Sequence, residues 1–216
     1  MEEDIKKLFE ISIGELPSHL PLFPLDGVLL LPFGKLPLNI FEPRYIKMIL
    51  DSFKKQRLIG IVQPKNNAGD FFSIGCIGKI TSFIETPDNR IVLNLDGICR
   101  FKIKDNQLSH AGYHNANIST SGFVDDISLI EPLLDRENLI KKYTHFFKTK
   151  KYEIDTNILE ETSNLQLLTT LTMMAPFSKI DKQAILEAPN IVERLKVINS
   201  ILELNTFTIV GSSLKH

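Results

Sequence analysis

The sequence predicts an α+β protein: a β-rich first part, residues 1–124, with one short helix, followed by a helical part, residues 125–216, that forms a bundle of about four helices. Three observations lead there. Eight of the eleven prolines (17, 21, 24, 32, 37, 43, 64 and 87) lie in the first 90 residues, and proline lacks a backbone donor and clashes with the preceding turn, so long helices are excluded there. Apolar residues alternate with period two in the first part, most cleanly at Cys99, Phe101 and Ile103 against Arg100, Lys102 and Lys104. After about residue 125 the period becomes 3.6.

Strands are expected at Leu20–Leu25, Val28–Leu31, Leu36–Ile40 and Leu58–Gln63. Gly75–Glu85 and Arg90–Asp96 flank the turn-rich quartet Thr86-Pro87-Asp88-Asn89 and read as a hairpin. From Cys99 the alternation predicts a half-buried strand with Arg100, Lys102 and Lys104 toward water, one wall of a curled sheet or small barrel. Tyr113–Thr120 is a further strand.

The helix of the first part starts at Glu42-Pro43, where proline suits the first helical position and the glutamate favours the positive end of the dipole. Tyr45 or Ile46, Ile49, Leu50 and Phe53 give it an apolar stripe. In the helical part, Ile140, Tyr143 and Phe147 mark a first helix, and Leu167 or Leu168, Leu171 and Met174 a second, capped by Ser163 with Gln166. Ser178 with Asp181 opens a third, ending before Pro189. Asn190 with Glu193 opens a fourth that buries Ile191, Leu195, Ile198 and Leu202.

Twenty-five basic against 26 acidic side chains leave no long-range field of one sign to draw nucleic acid or anionic lipid. The densest basic stretch, Lys141–Lys151, alternates lysines with Tyr143, Phe146 and Phe147. It can be read as cations between stacking rings, but the periodicity favours an amphipathic helix with a solvated lysine face. Cys76 and Cys99 sit in apolar stretches without a C-x-x-C pair, which favours two reduced core thiols in a cytoplasmic protein over a disulfide or zinc. No stretch approaches the roughly 18–20 apolar residues that span a bilayer, and the acidic start, with Glu2, Glu3 and Asp4, does not look like a secretory signal.

Reactive constellations are not found. Ser73-Ile74-Gly75-Cys76-Ile77-Gly78-Lys79-Ile80 contains a Gly-Lys pair, yet a phosphate loop needs glycine where Ser73 stands and a hydroxyl where Ile80 stands, so Lys79 reads as a strand residue facing water. His110 and His114 have ligand spacing only on a helix, and Gly112 stands between them. None of the histidines (19, 110, 114, 145, 216) sits in a catalytic motif, and Asp125-Asp126 reads as turn and cap. The expectation is therefore no catalytic residue, no metal ligand and no cofactor.

One block is specific. His19-Leu20-Pro21-Leu22-Phe23-Pro24-Leu25, the apolar run Val28–Leu31, then Pro32-Phe33-Gly34-Lys35-Leu36-Pro37-Leu38-Asn39-Ile40-Phe41-Glu42-Pro43-Arg44-Tyr45 closely resembles the opening of the amino-terminal, substrate-binding domain of Lon proteases: LPLFPL, an apolar strand, a P-G turn, LPL-x-IFEPRY. Here Phe33 intervenes between proline and glycine. A weaker block, Asp181–Glu187 with Glu193-Arg194-Leu195, resembles the family's Q-x-x-LE and ERL, and the resemblance extends over about residues 17–205.

The resemblance implies a PUA-like β-rich subdomain ahead of a helical one, and a stand-alone, non-catalytic module that binds unfolded or hydrophobic polypeptide segments, with an adaptor role in protein quality control beside a separate protease as the expectation. The ATPase and protease functions of full-length Lon enzymes are not carried over, because no nucleotide loop is found. Pro21, Pro24, Pro37, Phe41, Glu42, Pro43, Arg44 and Tyr45 are expected to be structural: the prolines stiffen connections, Phe41 staples the chain entering the helix, and Glu42 and Arg44 pair with backbone or each other. The peptide-binding residues are not legible. The alternative reading is RNA binding through the PUA-like fold, with Arg100, Lys102 and Lys104 joining the Lys141–Lys151 face; the near-neutral charge opposes it.

Overall fold

Six strands and five helices follow one another in the computed structural model, which describes residues 13–65, 69–128, 130–154 and 161–212; of residue 13 and residues 206–212 only the backbone is described. The strands are β1 (His19–Pro24), β2 (Lys35–Ile40), β3 (Leu58–Val62), β4 (Ile74–Glu85), β5 (Ile91–Leu108) and β6 (His114–Ser119). The helices are α1 (Pro43–Phe53), between β2 and β3, then α2 (Arg136–Thr149), α3 (Asn164–Met174), α4 (Lys179–Glu187) and α5 (Ile191–Ser212). The chain divides into two compact units, one of residues through Asp26 with Leu30–Ser128, the other of Gly27–Leu29 with residues 129–216.

In the first unit the strand order is β2-β5-β4-β3-β1-β6, and β5 also pairs with β6, so the neighbours β5, β4, β3, β1 and β6 lead back to β5. This is a curled sheet with β2 attached at its outer edge. Only β1 and β3 run parallel among the described pairs. The length of β5 makes the arrangement possible: Ile91–Asp96 pair with β2, and Lys102–Leu108 with β6. Register shifts at Ile77/Gly78, Ile80/Ser82 and Ile103/Asp105 supply the bends a curled sheet needs. Inside lie Leu20, Leu22, Leu58, Val62, Phe71, Ile77, Phe101, Ala116 and Ile118, all buried.

Several expectations are corrected. Arg90–Asp96 and the strand from Cys99 are a single strand, β5, with Gly97 between them. A Cβ at Gly97 would stand 2.0 Å from the Leu31 carbonyl oxygen, so the chain passes over β5 only because no side chain is there. Val28–Leu31 is not a strand, although Leu29, Leu30 and Leu31 are buried. The chain reverses beyond it in a turn closed by Gly34 N–H to Leu31 O at 3.0 Å, with Phe33 in the left-handed region (φ 63) where a turn of this kind prefers glycine.

Arg100 does not face water. It is 2% exposed and donates from Nε and Nη2 to the two carboxylate oxygens of Asp126, both at 2.8 Å, while its guanidinium lies 4.6 Å from the Phe123 ring centroid. Asp126, expected as turn and cap, is thus a buried partner, held in a short 3-10 turn, Val124–Ile127. Cys76 and Cys99 are both buried and form no disulfide; burial, then the neighbouring Asp126 carboxylate, pushes the Cys99 thiol up to about 12.

α1 begins with Pro43 and buries Tyr45, Met48, Ile49 and Ser52, whereas Leu50 is exposed. Tyr45 meets Phe23 of β1 with ring centroids 4.6 Å apart, which seats α1 on the sheet. The expected Phe41 staple is not made: Phe41 is 63% exposed, because Ile40, the preceding residue on the alternating strand, takes the buried place.

In the second unit, α2 buries Leu139, Tyr143, Phe146 and Phe147, so the rings of the basic stretch belong to the core. Tyr143 is bonded to Thr172 of α3 at 2.8 Å, and Phe146 lies 4.9 Å from Phe177. α3 turns Leu167, Leu168 and Leu171 inward but leaves Met174 exposed. The three expected caps form: Ser163 accepts from Gln166 N–H, Ser178 and Asp181 make a reciprocal box, and Asn190 accepts from Glu193 N–H at 2.9 Å. In α5, Ile198 and Leu202 are buried as expected, and Arg194 is buried too.

Candidate functional site

β4 and β5 are joined by residues 86–90, closed by Thr86 N–H to Arg90 O at 2.9 Å, with Asn89 in the left-handed region (φ 61). Pairing near that turn puts Ile84 opposite Val92, and Val92 opposite Asn39 of β2. Side chains directly opposite one another share a face, so Asn39, Val92 and Ile84 form a row across three strands. Ile84 is 68% exposed and Val92 40% exposed.

Phe41 lies two residues beyond Asn39, on the side of the chain opposite buried Ile40, and extends this row. The Arg90 guanidinium sits over its ring at 5.9 Å and is itself held by Asp88 at 2.8 Å. The opposite face of the same hairpin end carries Phe83, 47% exposed, stacked on Phe53 of α1 at 4.3 Å. The free end of the sheet thus offers apolar groups on both sides, with Arg90 and Asp88 as a polar rim. Soluble surfaces scatter such residues singly; a row of them is a contact surface in form.

The chemistry available there is association. Among the described residues no group of three or more His, Cys, Asp or Glu gathers as metal ligands, and no helix is long and apolar enough to cross a membrane.

The residues singled out in the sequence are only partly brought together. Glu42 precedes α1 without a side-chain cap bond; instead it accepts from Arg44 Nε at 3.0 Å and Nη2 at 2.8 Å. The Arg44 guanidinium lies 4.5 Å over the ring of buried Tyr45. Phe41, Glu42, Pro43, Arg44 and Tyr45 therefore form one corner, of which Phe41 alone belongs to the apolar row. Pro21, opposite Asn115, and Pro24, opposite Val62, are ladder positions of β1; Pro37, opposite Asn94, is on edge strand β2.

Ile84, Val92 and Phe83 are site residues that the sequence reading passed over. Their signal is the failure of alternation: Phe83-Ile84 and Ile91-Val92-Leu93 are consecutive apolar residues beside a turn, so one of each must face outward. His114, considered as a ligand, instead bonds Asn106 at 2.9 Å and meets the edge of Phe71; burial, and then the Arg44 charge, lowers its pKa.

Residues 19–203 match the family model of the ATP-dependent protease La (LON) substrate-binding domain. The chain belongs to the LON substrate-binding domain family. Among its relatives are Lon protease from Buchnera aphidicola subsp. Baizongia pistaciae, 28% identical over 193 residues, and Lon protease from Endomicrobium trichonymphae, 27% identical over 202 residues. These alignments cover 86% and 88% of this chain but 25% of each relative, so the chain spans about a quarter of their length. The fold is that of the Lon N-terminal domain protein from Xanthomonas campestris: TM-score 0.61, 22% identity, with 85% of this chain and 98% of that one covered. It is also that of the N-terminal domain of Mycobacterium avium complex Lon protease, with TM-score 0.57, 13% identity and coverage of 86% and 98%. The LON substrate-binding domain match thus takes in both units, from the start of β1 into α5.

Proposed function

We propose that this chain is a polypeptide-binding module, that it acts without catalysing a reaction, and that the apolar row Phe41, Val92 and Ile84 takes hold of hydrophobic segments exposed by unfolded proteins. One observation carries this reading: three large apolar side chains, Phe41, Val92 and Ile84, stand exposed together at one end of the sheet. Burying apolar side chains is favourable by about 1.5–3 kcal/mol when complete, and the flanking Arg90 and Asp88 offer polar groups to the client backbone. Membership of the substrate-binding domain family supports the same reading. In a cytoplasmic setting the module would serve as an adaptor that presents clients to a separate protease.

Fluorescence anisotropy with one labelled protein, folded and then permanently unfolded by reduction and alkylation, tests this. The unfolded form is expected to bind at least tenfold more tightly, and Ile84→Asp to remove about tenfold of that affinity, or about 1.4 kcal/mol. Equal affinity for the two forms would refute the module; an unaltered Ile84→Asp variant would refute the surface. The RNA alternative gains nothing from the structure, since Arg100 is buried against Asp126.

A further inference from the structure

The second unit holds a cleft of about 610 Å³ between α2 and α5 that the apolar row does not use. Lys141, Lys142 and Lys148 line one side, and Leu202 and Glu203 the other. Lys142 donates to Asn199 at 2.8 Å and to Glu203 at 3.0 Å, so the carboxylate at the cleft already has its counter-charge. Lys141 and Lys148 are exposed, and neither forms an ion pair among the described residues. Among the described residues, what this cleft offers a ligand is therefore positive charge without a counter-charge at two points, beside an apolar floor at Leu202.

Seven residues along a helix are about 10 Å, and carboxylates three residues apart on a peptide in the polyproline II form, which has three residues per turn and rises about 3.1 Å per residue, lie on one face about 9 Å apart. Nucleic acid is a poorer fit, because Tyr143, Phe146 and Phe147, the rings that would stack on bases, are buried in the core. We propose that the α2–α5 cleft binds acidic polypeptide segments, with Lys141 and Lys148 each taking a carboxylate from residues three apart. This site is independent of the apolar row, and its occupant is recognised by charge.

The test uses the full chain and three labelled probes: a 12-residue peptide with glutamate at every third position, its glutamine counterpart, and a 12-nucleotide uridine RNA. The glutamate peptide is expected to bind at least tenfold more tightly than the glutamine one, and to weaken severalfold between 50 and 300 mM salt as exposed charges are screened. Lys141→Glu with Lys148→Glu should lower its affinity tenfold or more, whereas Lys104→Glu on β5 leaves it within twofold. Should the reversed pair lose its helical circular dichroism, Lys141→Gln with Lys148→Gln replaces it, with a loss of about threefold expected. Equal binding of the two peptides overturns the proposal. So does unaltered affinity in a folded double variant, or tighter binding of the RNA that the same variant abolishes.

Discussion

Arg100 and Asp126, 26 residues apart in sequence, meet in a buried two-point ion pair in which the Asp126 carboxylate also accepts from the Arg100 backbone N–H at 2.9 Å. The pair fastens the turn Val124–Ile127 to the outside of β5, and Phe123 stacks on the guanidinium. Two buried charges are tolerable only while both are present, because each alone would have lost its water without replacement. Asp126→Ala is therefore expected to cost about 3–5 kcal/mol. Replacing both, as Arg100→Met with Asp126→Leu, should recover most of that loss. Urea denaturation measures both; a single variant within about 1 kcal/mol of the parent would show that the pair is not holding the turn.

Gly97 is the second fixed point of β5. Its neighbours are backbone: Phe33 N–H donates to Gly97 O at 2.9 Å and Gly97 N–H to Gly34 O at 2.8 Å. A methyl group 2.0 Å from Leu31 O has nowhere to go unless this crossing opens. Gly97→Ala is expected to destabilise by about 3 kcal/mol through overpacking. Gly122→Ala, with nothing within 4 Å of the added carbon, should stay within about 0.5 kcal/mol in the same assay.

These two positions also show where reading from sequence ends. Caps are local, and Ser178 with Asp181 or Asn190 with Glu193 were legible three residues apart. The strand alternation around Cys99 was legible as well, but it assigned Arg100 to water, since alternation sees two faces and cannot see what covers them. The covering turn lies 26 residues on, and no local pattern marks Asp126 as its partner. Val28–Leu31 looked like a strand because burial and strand composition coincide; the crossing over Gly97 satisfies burial without a ladder. The apolar row escaped notice for the opposite reason: its members sit in strands whose composition is ordinary, and only the cross-strand register brings Ile84 beside Val92.

Alkaline pH should reveal the buried ionisable hydroxyl and thiol. Folded Cys99 is held up at about 12 against an ordinary 9.0, and burial also raises Tyr143. A raised folded pKa means that the unfolded chain releases its proton first. The contribution to stability is therefore complete below about pH 9 and falls as pH climbs through the window from 9 to about 12. Denaturation curves at pH 8, 9.5 and 10.5 are expected to show progressive loss, with a shallower slope for Cys99→Ala. Iodoacetamide at pH 8 should leave Cys99 unmodified in the native protein and alkylate it in urea; rapid native alkylation would show that the thiol is not buried.

Pro37 stands on the outer edge of the sheet. β2 pairs with β5 alone among the described strands, so its other side presents backbone groups that could pair with another chain. Proline inside a sheet is confined to places where its missing N–H interrupts no ladder, which on an edge strand is the open side. Pro37, midway along Lys35–Ile40, therefore removes a donor from the edge where a second extended chain would need one. Pro37→Thr restores that donor and suits strand geometry. Fold stability is expected to change by less than about 0.5 kcal/mol, since the residue is exposed. Self-association, in contrast, should increase with concentration relative to the parent in sedimentation velocity. A variant whose sedimentation matches the parent's at every concentration would show that this edge is guarded by something other than the proline.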